Sequence, residues 1–369
     1  MDSLPTDVLL ITFNNLRIND IIRLIGVNKH FRNMILENHK YIDCFKKNYN
    51  IKDNYINDIV SVFNNIKLYI SVLSENIPKK NINMASIYGS RMDSDNYENL
   101  YVLYECINMT DLHLTMYTKI NSLRGLENNI NLKFLGLTYC SNLENLYGIN
   151  NINLSKLYIY CCPKLIITDE LYNHINLKTV DITDCNLISD LLFLEKCINI
   201  NKIKLYRCDN LLSLKGLNNC IKLSKIDICE CDNLLSISDL NNCSNLKIIN
   251  ITCIKKLETL QGLNNTHLDK LYIHRCDNLR SLQGINKVYD INMSECNNIA
   301  SLSGCNYIDK INYIYISGCS NLTSLKGLNN CNYIEKLSLY MCNNLTELGI
   351  NNNIINETFI KYCSSFIEN

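Results

Sequence analysis

The sequence predicts an α/β repeat: a solenoid of about 11 stacked units with a parallel, concave sheet, preceded by a small all-α domain. Three observations point there. A cysteine returns at Cys140, Cys162, Cys185, Cys208, Cys231, Cys276, Cys296, Cys319, Cys342 and Cys363, at intervals of mostly about 22 or 23 residues. The segment ending in that cysteine reads L-x-x-L-x-L-x-x-C, as in LSKLYIYCC, LDKLYIHRC and IEKLSLYMC. Within it, apolar pairs such as Leu157 and Ile159, or Leu271 and Ile273, alternate with polar neighbours, the two-residue period of a short strand with one face inward. Self-similarity at this period and spacing is the signature of a leucine-rich-repeat solenoid.

The first element is helical. Residues 4–35 open with Leu4-Pro5, and proline suits the first turn of a helix because it presets φ and needs no amide partner there. Val8, Leu9, Phe13 and Leu16 then mark one face of a short helix. Asn19-Asp20 is an N-cap signal for a second helix carrying Ile21, Ile22, Leu24, Ile25 and Val27, and a third short helix could hold Phe31, Met34 and Ile35. The unit has more apolar positions than it can bury internally.

This string resembles an F-box. Leu4 and Pro5 match the family's opening, Asp7 its acidic position, Leu9 and Leu16 its apolar ones, Asp20-Ile21 its Asp-Leu pair, and Val27-Asn28-Lys29 with Phe31 its closing segment. Thr12 stands where isoleucine is usual, and Asn28 where cysteine or serine is usual. The resemblance covers residues 1–45, and an F-box followed by leucine-rich repeats is a familiar domain order. It implies docking onto a Skp-type adaptor of a cullin–RING ubiquitin ligase through Leu4, Pro5, Val8, Leu9, Phe13, Leu16, Ile21, Ile22 and Leu24. The alternative reading of the segment is a helical cap sealing the open end of the solenoid.

Residues 46–108 read as a helical connector and N-terminal cap. Ile56, Ile59, Val60, Phe63, Ile66 and Ile70 follow helical spacing, Pro78 marks a break, and INMASIY is an irregular first strand. Tyr97 to Ile107 fits a helix or a decayed repeat.

The repeat array then fills residues 109–369, with units beginning at Met109, Leu132, Leu154, Leu177, Ile200, Leu223, Leu246, Leu268, Val288, Ile311 and Ile334 and a partial one at Ile355. The recurring cysteine suits an inward turn position, being small and a weak S–H donor; Tyr117 and Ile254 interrupt it. After it, leucines three apart (Leu211, Leu214, Leu217) predict a tight turn or 3₁₀ segment rather than a long helix, and Gly125, Gly148, Gly216, Gly262, Gly284, Gly304 and Gly327 mark a bend.

Composition narrows function by exclusion. The formal net charge is +0, so there is no electrostatic footprint for nucleic acid or an acidic membrane. No apolar run is long enough to span a bilayer, and MDSLPTDV is no signal peptide, so the protein is expected to be intracellular, cytoplasmic or nuclear. There thiols stay reduced, and the 20 cysteines, most of them in repeat positions with no CxxC pair, are read as structural rather than as metal ligands or disulfides. No cofactor is implied. The bias toward Asn, Ile, Lys and Tyr suits an A/T-rich genome, such as that of a protist or of a large DNA virus of amoebae. Six scattered histidines form no recognisable relay, and no phosphate loop or nucleophile elbow occurs; the chain is read as no enzyme.

Function should therefore lie on the outward strand positions. Tyr158, Tyr160, Tyr206 and Arg207 form one candidate target-binding cluster, and Tyr272, His274, Arg275 and Tyr315 a second, since tyrosine and arginine join large contact area to a polar handle. The combined expectation is the substrate-recognition subunit of an F-box ubiquitin ligase, binding an adaptor with one end and an unknown protein with the other. A non-catalytic scaffold, an inhibitor or an adaptor decoy is the alternative.

Overall fold

The structure, a computed structural model, describes residues 84–88, 99–305 and 308–366. The F-box-like segment 1–45, with its nine candidate adaptor residues, lies outside the described residues, as does the helical spacing of Ile56 to Ile70.

Among the described residues, one parallel sheet of 13 strands runs in strictly sequential order. Its strands are β1 (Met84–Tyr88), β2 (Asp111–Thr115), β3 (Phe134–Thr138), β4 (Lys156–Tyr160), β5 (Thr179–Thr183), β6 (Lys202–Tyr206), β7 (Lys225–Cys229), β8 (Ile248–Thr252), β9 (His267–His274), β10 (Lys287–Ser294), β11 (Lys310–Ser317), β12 (Tyr333–Tyr340) and β13 (Ile355–Lys361). Strands β2 to β12 are those of the units starting at Met109 through Ile334. The partial unit at Ile355 supplies β13, and INMASIY supplies β1, which pairs with β2 in register.

Registration follows the aliphatic pattern. Leu112, Leu135, Leu157, Val180, Ile203 and Ile226 pair in sequence across β2 to β7, all with 0% exposure. A slip of one residue would turn this whole ladder into solvent, so burial pins the register. The far wall of each coil is built from the leucines after the ladder position, such as Leu211, Leu214 and Leu217, equally buried. No α-helix occurs among the described residues; the only helical pieces are 3₁₀ turns at Tyr101–Leu103, Leu192–Leu194, Ser238–Leu240 and Asn352–Ile354.

The ladder cysteine closes each strand as expected of a small inward donor. Cys185 Sγ donates to the Thr183 carbonyl at 3.3 Å, Cys296 to Ser294 at 3.4 Å and Cys231 to Cys229 at 3.5 Å. Burial pushes the Cys185 thiol up to about 11 and Cys276 up to about 12. The residue just before the ladder position, which Ile254 fills after Cys253, is unusual. Tyr139, Cys161, Asp184, Arg207, Glu230, Cys253, Arg275, Glu295 and Met341 all hold φ between 51° and 55°, in the left-handed region. Each N–H still donates to the strand-end carbonyl of the next repeat, as in Asp184 to Tyr206 at 2.9 Å and Glu230 to Thr252 at 2.9 Å, and the left-handed turn after it breaks the two-residue alternation so that the cysteine is buried. One more rung of the ladder thus offsets a backbone cost of about 1–2 kcal/mol per non-glycine residue.

The glycine bend has a sharper cause. At Gly216, φ is +111°, and a Cβ would lie 2.0 Å from the Leu191 carbonyl oxygen of the preceding repeat. The close approach lets Lys215 accept the Leu191 N–H at 2.9 Å. Counting from the ladder cysteine, Phe193, Asp239, Glu170 and Ile350 occupy the glycine's place in four units. The first two units use 3₁₀ turns instead. In the third, the buried Glu170 carboxylate substitutes for the missing main-chain acceptor, taking the Leu146 N–H at 3.1 Å and the Thr168 N–H at 2.7 Å.

Candidate functional site

Because successive strands stack in register, their outward side chains form three columns across the sheet face, and the left-handed residues form a fourth along its edge. The amino-terminal part of this face is aromatic. The His113 ring lies 4.5 Å from Phe134, which meets Tyr158 edge-on at 5.1 Å; one column over, Tyr139 meets Tyr160 edge-on at 5.2 Å. These pairs bridge neighbouring strands, β2 to β3 to β4, the arrangement in which aromatic side chains reinforce one another. The neighbouring Tyr139 phenol, with nearby charge, pushes the Tyr160 phenol up to about 12. Tyr158 and Tyr160 nonetheless keep 38% and 37% of their surface in solvent, enough area for a partner to cover.

Tyr206 and Arg207 sit two strands further on, with β5 between them and the tyrosine pair. The Arg207 guanidinium is held by Asp184 (2.7 Å) and lies 5.3 Å from the Tyr206 ring centre, while the Tyr206 hydroxyl donates to Glu230 at 3.0 Å. Lys204–Asp181 (3.4 Å) and Lys225–Asp227 (3.1 Å) extend this band. The first candidate cluster is therefore two things side by side: an aromatic patch and an ion-paired band that pre-orients its own side chains.

The second cluster is more dispersed than its sequence positions suggest. Tyr272 and Tyr315 share one column, but Asn292 of β10 stands between them. His274 bonds Ser294 Oγ at 2.7 Å, and Arg275 pairs with Glu295 at 2.8 Å. Beyond Tyr315 the face opens into a hollow of about 570 Å³ lined by Tyr313, Tyr315, Ser338, Tyr340 and Phe359.

Sequence reasoning missed Phe134, His113 and Tyr139. The signal was present: Tyr139 occupies the same slot before the ladder cysteine as Arg207 and Arg275, and Phe134 opens the same alternation as Tyr158. Elsewhere, the buried His174 imidazole is a structural group. Its Nδ1 accepts from Leu154 N and its Nε2 bonds the Ile149 carbonyl, both at 3.1 Å, and burial lowers it to about 4. Among the described residues no group of three or more His, Cys, Asp or Glu side chains could hold a metal ion, and no helix is long and apolar enough to cross a membrane.

No protein-family model matches the sequence, and no curated protein matches it. Solved structures do. An internalin of Listeria monocytogenes is 18% identical, with a TM-score of 0.34, over 78% of this chain and 86% of that one. A leucine-rich-repeat protein of Leptospira interrogans is 14% identical, with a TM-score of 0.33, over 75% of this chain and 86% of that one. The mouse RP105/MD-1 complex matches at 17% identity and a TM-score of 0.39, over 70% of this chain and 46% of that one. The assignment as a leucine-rich-repeat solenoid rests on this chain's own register and repeat.

Proposed function

We propose that this chain is a substrate-recognition subunit of a cullin–RING ubiquitin ligase, capturing a target protein on the sheet face and a Skp-type adaptor with residues 1–45. The capture half rests on one observation: cross-strand aromatic pairs and ion-paired arginines stand exposed on a rigid, in-register sheet. Such side chains lose little rotamer freedom on binding and supply large contact area. The recruitment half rests on the F-box resemblance of Leu4, Pro5, Val8, Leu9, Phe13, Leu16, Ile21, Ile22 and Leu24. The ligase's other subunits would carry the ubiquitin chemistry, and this chain would supply proximity, raising the effective concentration of target lysines. The reading requires an intracellular location.

Co-purification of the full chain with a Skp-type adaptor tests recruitment. Retention that is lost in Leu4→Ala/Pro5→Ala, with the repeat domain still folded, supports it. No association at low stringency overturns it and leaves a non-catalytic scaffold or inhibitor. Adaptor binding without ubiquitination of any captured protein would mark a decoy. Tyr158→Ala and Tyr272→Ala test the face separately: full target capture by both variants removes the two clusters from the interface.

A further inference from the structure

The carboxy-terminal strand presents exposed apolar surface at one end of the sheet. β13 is last in the sheet order, so among the described residues no strand lies along its outer edge. Asn356, Glu357, Thr358 and Phe359 are all exposed, whereas the core-facing Leu337 and Leu339 of β12 are at 0%. Phe359 is 50% and Tyr362 61% exposed, large apolar surface on an end strand.

Backbone direction identifies what that edge offers. The Lys361 carbonyl accepts from Met341 of the preceding turn, so it points back toward β12. By two-residue alternation Glu357 and Phe359 turn the same way, and Asn356, Thr358 and Ile360 aim their N–H and C=O groups at the open edge. An antiparallel partner must then hydrogen-bond those residues.

We propose that the occupant is β13 of a second copy of this chain, paired antiparallel across a two-fold axis that passes beside Phe359. In that register Thr358 and Ile360 exchange main-chain hydrogen bonds with Ile360 and Thr358 of the second copy. Phe359 meets Phe359, and Glu357 stands opposite Lys361 on both sides of the axis. The strand is thus its own complement in charge, as an isologous interface requires. Neighbouring registers lose this. A slide of two residues sets Glu357 or Lys361 opposite Phe359, and a slide of four sets Glu357 or Lys361 opposite itself. Both charges are available: Glu357 is only loosely paired with Lys336 (3.7 Å, both side chains more than half exposed), and Lys361 lies over the Phe359 and Tyr362 rings at 5.7 and 5.6 Å. The dimer would join two solenoids end to end and present two capture faces on one continuous sheet.

Sedimentation velocity of the full chain from about 1 to about 100 μM tests this, since a specific interface of this kind belongs in that affinity range. A dimer is expected. Glu357→Lys and Lys361→Glu should each weaken it about tenfold or more, by setting like charges opposite one another. An equimolar mixture of the two variants should restore it, because every charged pair in the mixed dimer is again opposite. Amide exchange at Thr358 and Ile360 should slow with concentration in the unaltered protein, a readout independent of any variant. A monomer throughout, a dimer unmoved by either substitution, or a mixture that stays dissociated would each overturn the proposal.

Discussion

Replacing Gly216 with alanine strikes a bend where conformation and space both exclude a side chain. At φ +111° an L-residue is strained by about 1–3 kcal/mol. The new Cβ would lie 2.0 Å from the Leu191 oxygen, which already accepts the Leu194 N–H at 2.8 Å, while the Leu191 N–H donates to Lys215 at 2.9 Å. Relieving the overlap loosens both bonds, each worth about 1 kcal/mol net. Gly216→Ala should therefore cost about 3–5 kcal/mol, concentrated at the joint between two repeats. Because each repeat touches only its neighbours, the damage can also split unfolding into two phases. Urea titration followed by far-UV circular dichroism and tyrosine fluorescence measures it, the chain having no tryptophan. Asp239→Ala is the control, since Asp239 takes the glycine's place in a 3₁₀ unit and should lose less than about 1 kcal/mol. A loss below about 1 kcal/mol in Gly216→Ala, with an unchanged urea slope, would refute the reasoning: the bend would then convert to the 3₁₀ form of Leu192–Leu194 at little expense.

Three further outcomes follow from the same geometry. His174 is held at about 4 by burial against an ordinary 6.5, so the unfolded chain binds the extra proton between those values. Its stabilising contribution is complete above pH 6.5 and drains away as pH falls toward 4, by about 3 kcal/mol in all, and His174→Asn should flatten that part of the stability–pH curve; equal slopes in both proteins would exclude the imidazole as the cause. Cys253→Gly should raise stability by up to about 1 kcal/mol, because φ 55° strains cysteine and not glycine, as Gly318 already shows at the equivalent place; thermal melting that shifts downward would contradict it. Cys231→Ser should cost about 1–2 kcal/mol, since the hydroxyl keeps the bond to Cys229 O yet gives up thiol packing, whereas Cys231→Leu should cost more by overfilling a fully buried turn; the order of the two urea midpoints decides.

Period and alternation were legible in the chain before any fold was known. The aliphatic pairs Leu157/Ile159 and Leu271/Ile273 could bury one face only as short strands, and the repeat spacing placed every unit from Met109 to Ile334, with Tyr117 and Ile254 standing in for the cysteine in two of them. The same logic marked Tyr158, Tyr160, Tyr206 and Tyr272 as outward, because a two-residue period assigns faces without further information. What the period could not show is which outward residues meet, since that depends on register between strands far apart in sequence. Only stacking put Phe134 against Tyr158 and Tyr139 against Tyr160, tied Arg207 to Asp184 and Arg275 to Glu295, and set Asn292 between Tyr272 and Tyr315. The turns divide the same way. Glycine announced a bend, but the left-handed backbone of Asp184, Arg207 and Glu230 leaves no compositional trace. It follows the last rung that each strand makes to the next repeat and turns the cysteine inward behind that rung, and an interaction between coils is invisible to any reading of one coil alone.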